Sequence, residues 1–135
     1  MPFPVNRKFI QRAESKLGVS FPESFHEGMT FLNGGEIETG QEYWRLFPVF
    51  DTSDRKRLKR TSNDIVRETN SAKAWTGFPN DAVAIGCNDC GDYLIVLPED
   101  DDESKIKDIV YGWDHETGKT RIVSPTIKIL MNTRR

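Results

Sequence analysis

The chain has 135 residues, 30% of them charged, and a formal net charge of −2. This near balance argues against generic nucleic-acid binding, which favours strongly basic domains, and no apolar run approaches the ~20 residues that span a bilayer. The N-terminal stretch lacks the apolar segment of a signal peptide, and two cysteines three positions apart cannot staple a domain. We therefore expect a single domain over residues 1–135, located in the cytoplasm and with its cysteines reduced.

The N-terminal part of the chain predicts a helical hairpin. Residues 6–18, NRKFIQRAESKLG, offer Asn6 as N-cap and Gly18 as the terminating residue. Residues 21–35, FPESFHEGMTFLNGG, predict a second helix with Pro22 at its first position and Asn-Gly-Gly at its end. Each helix has an apolar face at helical spacing: Ile10, Ala13 and Leu17 in the first, and Phe25, Met29 and Leu32 in the second.

The middle of the chain predicts a strand, a polar connection and a helix. Residues 43–51, YWRLFPVFD, are typical of a strand or strand pair, with Pro48 at an edge or bend because proline has no amide donor. Residues 54–64, DRKRLKRTSND, predict an exposed basic loop, and an electrostatic contact with an acidic partner is the alternative. Ser62 or Asn63 then caps a helix that places three side chains inward: Ile65, Ala72 and Trp75.

Three strand signals follow in quick succession. They are AVAIG (82–86), DYLIVLP (92–98) and IKDIVYGWD (106–114), the last with Ile109, Tyr111 and Trp113 on one face. HETGK is a turn with Gly118 available for a left-handed conformation, and TRIV returns as the second strand of a hairpin.

The chain ends in a predicted short helix. Ser124 is its expected N-cap, Pro125 its first residue, and Ile129 and Leu130 its packing residues. Consecutive strands joined by short turns imply an antiparallel sheet. Helices segregated from those strands imply the α+β class, with an N-terminal helical hairpin, one middle helix and a short C-terminal helix.

Both cysteines lie in the stretch IGCNDCGDYLIVLPEDDDE (85–103). A thioredoxin-type site needs its Cys-x-x-Cys at a helix N-terminus, whereas here a strand signal follows. A structural zinc needs four ligands, and only His26 and His115 are available to complete a set with Cys87 and Cys90. We favour a tight hairpin turn, since Asn, Asp and Gly are turn formers. A metal-binding or hydrolytic site of Cys87, Cys90 and His115 is the alternative.

Three other segments partly resemble known functional motifs, but none matches its motif in full. HETGKT ends like a phosphate-binding loop, but the glycine required upstream is Trp113. The polar trio Asp114, His115 and Glu116 is compatible with acid–base chemistry, although exposed turn residues are the favoured interpretation. The acidic run EDDDE lacks the alternate spacing and the glycine of a calcium loop. It is either a solvated connection or an acidic surface that docks a basic protein.

Three segments, in order, resemble the SMI1/KNR4 (SUKH) superfamily. IQRAESKLGVSFPESFHEGMTFLNGG (10–35) resembles its opening helix pair, and FPNDAVAIGCNDCGDYLIVLP (78–98) resembles its central hairpin. VYGWDHETGKTRIV (110–123) resembles its later hairpin. The resemblance covers nearly the whole chain, and residues 51–75 are the least diagnostic part.

The resemblance implies structural roles for the matching residues. Glycines shape the turns, Trp113 packs in the core, and the polar residues beside it order their turn. The implied structural signature is Gly34, Gly35, Gly86, Gly91, Asp92, Trp113, Asp114 and His115. Cys87 and Cys90 occupy variable positions of the central turn.

The resemblance also implies a function in protein binding without catalysis, cofactor or metal. Bacterial members look like immunity proteins that bind and neutralise a toxin, frequently a nuclease, while fungal relatives act as regulatory interaction modules. We expect a cognate toxin domain as partner, and no nucleic acid, membrane or small-molecule substrate; a regulatory or scaffold module is the alternative. Expected contact residues, chosen for charge and exposure, are Glu36, Glu38, Glu42 and Tyr43 in the loop after the helix pair, and Asp100, Asp101, Asp102 and Glu103.

Overall fold

The computed structural model describes residues 3–40 and 42–134. The helices in this part of the chain are α1 (Arg7–Leu17), α2 (Glu23–Phe31), α3 (Arg55–Arg60), α4 (Ile65–Ala72) and α5 (Ile127–Asn132). The strands are β1 (Gly35–Thr39), β2 (Glu42–Leu46), β3 (Val83–Cys87), β4 (Tyr93–Val96), β5 (Val110–Trp113) and β6 (Thr120–Ser124). None of the described helices is long and apolar enough to cross a membrane.

The strands form one antiparallel sheet in chain order, β1 to β6. Each strand pairs with the next one along the chain, which confirms the α+β class and the antiparallel sheet. The sheet is strongly curled, because Glu42 on β2 forms an ion pair with Arg121 on β6 although three strands lie between them. The curl encloses large buried side chains, among them Trp44, Ile37 and Leu94.

The helical hairpin forms as its local signals predict. The Asn6 side chain accepts a hydrogen bond from the Lys8 N–H, and Gly18 ends α1 with a φ of 73°. The Glu14 carboxylate joins the two helices, since it accepts the Phe21 N–H at 2.7 Å and lies 3.0 Å from Nε2 of the buried His26. Pro22 is the N-cap of α2 and not its first helical residue, so the helix begins one position later than predicted.

The basic segment is a helix and not a loop. Asp54 caps α3, because its carboxylate accepts the Arg57 N–H at 2.8 Å and also pairs with the Arg57 guanidinium. The following helix α4 is capped by Asp64, which accepts the Arg67 N–H at 3.0 Å, and not by Ser62 or Asn63. Helix α4 packs on β3, where the buried Thr69 hydroxyl accepts the Ala84 N–H at 3.0 Å.

Three predictions for residues in or beside the helices need correction. Trp75 lies beyond the end of α4 and is 45% exposed, not inward. The last helix begins at Ile127 with Thr126 as N-cap, whereas Ser124 is the final residue of β6. Asp108 also accepts the Ile127 N–H at 2.8 Å, so a residue distant in sequence helps to set where this helix starts. Leu130 is buried as predicted, but Ile129 is 52% exposed.

Arg134 ties the C-terminal end to the helical hairpin. Its guanidinium donates to the carbonyl oxygens of Gly28 and Gly34, each at 2.9 Å. These are backbone acceptors at and beyond the end of α2, a position where a positive charge is favourable. Burial lowers the pKa of Arg134. These hydrogen bonds join the residue that follows α5 to the end of α2.

Candidate functional site

The first group of expected contact residues lies on the β1–β2 hairpin. Ile37 faces Trp44 across the two strands, and both side chains are buried. Because side chains alternate along a strand, Glu36, Glu38 and Tyr43 lie on the opposite, outer face. The prediction that these residues lie in a loop is therefore wrong, because they belong to the paired strands β1 and β2.

The outer face of this hairpin carries an ordered polar network. A side-chain hydrogen bond with Glu36 raises the pKa of Tyr43. Arg45 lies opposite Glu36 and forms an ion pair with Asp89 at 2.5 Å. These contacts place two glutamates and a tyrosine on one exposed surface, the arrangement on which a basic partner can dock.

Glu42 does not belong to that surface. It lies on the same side of β2 as Trp44 and pairs with Arg121 across the curl of the sheet. Its side chain is 32% exposed and its charge is matched by a guanidinium. The structure therefore separates Glu42 from the three residues with which it was grouped.

The second group lies in the connection between β4 and β5. Asp102 holds this turn together, because its carboxylate accepts the Ser104 N–H at 2.9 Å and the Ser104 hydroxyl at 2.6 Å. These two bonds lower the pKa of Asp102. The Ser104 carbonyl in turn accepts the Ser20 N–H at 2.6 Å, which anchors the connection to the junction of α1 and α2.

The remaining acids of this connection are presented to solvent. Asp100 pairs with Lys107 at 3.0 Å, but its side chain is 94% exposed. Asp101 and Glu103 are exposed as well. The connection leaves the sheet at the end of β4. The strand register places this point at the other end of the sheet from the place where β1 and β2 join. Seven of the eight expected contact residues thus form two separate, mainly acidic groups, and Glu42 belongs to neither.

The Cys-x-x-Cys lies at the β3–β4 turn, as the hairpin interpretation predicts. The Asn88 side-chain oxygen accepts the N–H groups of Cys90 at 3.0 Å and Asp92 at 2.9 Å, so the turn is built around an asparagine. Both thiols are free: Cys90 is exposed and Cys87 is half-buried. Burial raises the pKa of Cys87, which disfavours the reactive thiolate.

An Asp92–His115 pair joins this turn to the β5–β6 hairpin. Asp92 Oδ1 lies 2.7 Å from His115 Nδ1 and also accepts the His115 N–H at 3.2 Å. Gly91 makes the approach possible, because its φ is 93° and a Cβ there would lie 3.3 Å from the imidazole ring. Trp75 packs edge-on against the same imidazole, with ring centroids 5.5 Å apart.

The charges of this pair stabilise each other. Burial opposes ionisation of Asp92, but hydrogen bonds from the His115 side chain and backbone, aided by Asn88, outweigh it and lower the Asp92 pKa. The hydrogen bond to Asp92 is the main reason that the His115 pKa is raised, with burial acting against it. The neighbouring Asp114 is a turn former, since its carboxylate accepts the Glu116 N–H at 2.8 Å.

The polar residues around His115 also form a compact set of potential metal ligands. Among the described residues, one such set of three has its ligand atoms within 4.8 Å of one another, namely Asp92, Asp114 and His115. Neither Cys87 nor Cys90 belongs to it, so the cysteine-based metal site is not assembled. The carboxylates of the set already accept hydrogen bonds that hold two turns. A cation would therefore compete with the bonds that shape this part of the fold.

The remaining signature residues fill close-packed positions. A Cβ on Gly86 would lie 2.6 Å from the Arg45 carbonyl oxygen, so glycine permits the pairing of β2 with β3. Trp113 is fully buried and packs against the rings of Phe78 and Tyr93. Gly34 adopts a φ of 103°, and a Cβ there would lie 3.2 Å from the Leu46 carbonyl oxygen.

The sequence pattern predicts Asn33 only as part of a helix end, but the residue has a further role that the pattern does not indicate. Its buried side chain donates to the Val49 carbonyl at 2.8 Å and accepts the Val49 N–H at 2.7 Å. The amide thus pairs with the backbone as a neighbouring strand would. An asparagine directly before two glycines was the available signal, but the pattern does not reveal the acceptor.

The Asp92–His115 pair predicts a pH dependence of stability. The folded pKa of His115 lies above its ordinary value of 6.5, so its contribution to stability is complete below pH 6.5 and is lost as the pH rises through the folded pKa. Urea unfolding across this range should show that loss in the natural chain and not in His115→Gln. A His115 pKa at or below 6.5 in an NMR titration, with His26 followed in the same spectra, would contradict this.

Comparison with known proteins agrees with this geometry. Searches of curated proteins and of solved structures found no match. The family model described as SMI1 / KNR4 family (SUKH-1) matches residues 4–133, which include every helix and strand described above. The resemblance of the helix pair and the two later hairpins is therefore confirmed, and the chain belongs to the SMI1 / KNR4 family (SUKH-1).

Proposed function

We propose that this chain is an immunity protein that neutralises a cognate toxin, most simply a nuclease, by binding it and covering its active cleft. Membership of the SMI1 / KNR4 family is consistent with an immunity-protein-like domain. The observation that carries the proposal is the acidic outer face of the β1–β2 hairpin, where the exposed Glu36 and Glu38 share one surface with the half-buried Tyr43. Carboxylates fixed on strands can replace the phosphates that a nuclease cleft binds.

The proposed action is stoichiometric binding without catalysis. The residues best suited to acid–base chemistry, Asp92 and His115, are committed to each other and to a turn. The Asp114 carboxylate is likewise occupied by backbone N–H groups. These bonds support a structural role, as the family resemblance implies.

The β4–β5 connection contributes long-range attraction in this proposal. Its backbone is anchored through Ser104 and Asp102, so the exposed carboxylates of Asp100, Asp101 and Glu103 are presented from a fixed frame. Charges on such a rim mainly speed the encounter with an oppositely charged partner and add less to the lifetime of the complex. The two acidic groups thus have different roles: docking for the hairpin and attraction for the connection.

Charge reversal separates these roles. The Asp100→Lys/Asp101→Lys variant should associate with the toxin about tenfold more slowly at low salt, with a weaker salt dependence and a nearly unchanged dissociation rate. The Glu36→Lys/Glu38→Lys variant should also dissociate faster. Surface plasmon resonance against a catalytically inactive form of the toxin encoded beside the gene measures both rates.

The matched control is Glu27→Lys/Glu116→Lys, which makes the same charge change at exposed positions outside both acidic groups. Unchanged kinetics in the hairpin variant would remove that face from the interface. Co-expression of the natural chain should rescue cells from the toxin. Failure to rescue, or to bind the neighbouring toxin, would favour the alternative of a regulatory or scaffold module with another partner.

A further inference from the structure

An open groove lies between α1 and α4, and none of the eight expected contact residues lines it. It encloses about 530 Å³, within the range of ligand and peptide sites. Its walls include Phe9 and Ala13 from α1, Ile65 and Val66 from α4, and Val49 from the segment after β2. The groove therefore offers an apolar floor between two helices, a shape that accepts side chains projecting from a partner segment.

Three cations surround this apolar floor: Arg12, Lys16 and Arg67. Among the described residues that line the groove, the one acid is Asp64, which is buried and accepts the Arg67 N–H as helix cap. Its charge is thus directed into the start of α4 and not toward the mouth of the groove. The mouth carries an excess of positive charge although the chain as a whole is acidic.

Arg12 is held in place before any partner arrives. Its guanidinium donates to the Phe50 carbonyl at 3.1 Å and to the Thr52 hydroxyl at 3.4 Å. It also lies over the rings of Phe9 and Phe50, at 4.9 Å and 5.6 Å from their centroids. A cation fixed by neutral groups keeps its charge available for a carboxylate and loses little conformational entropy on binding.

The positive charge continues from the groove onto α3. Arg67 donates to the Ser62 carbonyl at 3.4 Å, next to the end of that helix. Helix α3 supplies five cations in six residues, of which Arg57 is paired with Asp54: Arg55, Lys56, Arg57, Lys59 and Arg60. The ring of Phe3 lies beneath three of them, at 4.4 to 5.5 Å from their charged groups. The groove and α3 together form one basic surface, which we call the α1–α4 groove with its basic rim.

We propose that the α1–α4 groove with its basic rim docks an acidic, amphipathic segment of a partner protein. Apolar side chains of that segment fill the floor, and its carboxylates meet Arg12, Lys16 and Arg67. Charge complementarity selects an acidic partner, and the apolar floor selects a protein segment, because a phosphate backbone would leave that floor uncovered. This surface is opposite in charge to the acidic hairpin and independent of it, so the chain has two faces for two kinds of partner.

The test uses the whole chain and a synthetic amphipathic peptide with leucines on one face and glutamates on both flanks. NMR spectra of the ¹⁵N-labelled protein should shift at α1 and α4 and stay unchanged at the β1–β2 hairpin. The Lys16→Glu/Arg67→Glu variant should bind the peptide at least about tenfold more weakly, and Ser71→Trp, which fills the groove from an exposed position, should weaken it similarly. The matched control, Lys119→Glu/Lys128→Glu, makes the same charge change elsewhere and should bind as the natural chain does.

Several outcomes would overturn the proposal. They are absence of peptide binding, equal affinity in the charge-reversed and control variants, and spectral shifts confined to the hairpin. Binding of a DNA duplex through the same residues, in preference to the peptide, would assign the surface to nucleic acid instead. Thermal melting of each variant verifies that it is folded. Because the Glu36→Lys/Glu38→Lys variant should retain peptide binding, failure of this inference is distinguishable from failure of the proposed toxin-binding face.

Discussion

We expect Trp113→Ala to lower the free energy of unfolding by about 3–5 kcal/mol, since removing a buried aromatic side chain leaves a cavity that the core fills only in part. Trp113 is fully buried and packs edge-on against Phe78, with ring centroids 5.2 Å apart. Domains are stable by only about 5–15 kcal/mol, so this loss is a large fraction of the total. Urea unfolding followed by far-UV circular dichroism measures it without relying on the deleted fluorophore.

The matched control for this prediction is Trp75→Ala. The same atoms are removed, but Trp75 is 45% exposed and lies at the surface beside His115. Its loss should change stability by about 1 kcal/mol or less. Equal losses in the two variants would show that Trp113 is not the core residue that the structure describes. Trp113→Phe keeps an aromatic ring in the cluster and should lie between the natural chain and Trp113→Ala.

We expect Asn33→Ala to lower the free energy of unfolding by about 2–5 kcal/mol, because it leaves two buried backbone groups without partners, each at a cost of about 1–3 kcal/mol. Those groups are the N–H and the carbonyl of Val49, both bonded to the Asn33 side chain. The site is buried, so solvent cannot readily replace the lost bonds. Thermal and urea unfolding of the variant measure the effect.

Asn33→Asp tests the same contact by a different route. An ionised carboxylate can accept the Val49 N–H, but its second oxygen faces the Val49 carbonyl and cannot donate. Burial and that carbonyl favour the protonated form, which raises the folded pKa of the new carboxyl above its unfolded value. The variant should therefore regain stability relative to the natural chain as the pH falls through that folded pKa. Asn80→Asp, at an exposed position, is the control and should show no such recovery.

Elements that depend on a few neighbouring residues were predictable. The Asn6 cap, the left-handed Gly18 and the left-handed Gly118 all formed as expected, since each is set by local backbone geometry. The hairpin turn at the Cys-x-x-Cys was also predictable because Asn88 and Gly91 favour it locally. The antiparallel sheet follows from the short spacing of the strand signals.

Elements that depend on distant partners were not predictable. The basic segment predicts a loop because its residues are polar except for Leu58. In the structure, however, Asp54 provides a helix cap and Arg57 also approaches the buried Asp51 at 3.9 Å. The sequence predicts a loop for the acids after the helix pair, whereas the structure places Glu36 and Glu38 on β1. Pairing with β2 turns that polar alternation into an inner and an outer face.

The sequence predicted which residues could form the candidate sites, but not how these residues are arranged in space. Charge and exposure suggested two acidic stretches, but the sequence did not show that Glu42 would turn away to pair with Arg121. It also did not show that the Asp102 carboxylate would accept a hydrogen bond from Ser104 within its own turn. No sequence signal indicates the α1–α4 groove, because its walls come from helices separated along the chain by α2, the first two strands and α3.

The amino-acid sequence by itself determined the fold class, the order of most elements and the family of this protein. Helix caps, turns and strand periodicity each depend on residues within a short stretch of the chain. The tertiary structure decided which side chains meet. Asn33 finds its partner 16 residues away, Asp92 meets His115 23 residues later, and Arg134 reaches Gly34 across 100 residues. Such contacts depend on how the sheet curls and how the helices pack on it, and so do the two acidic groups and the basic groove through which we propose that the protein binds its partners.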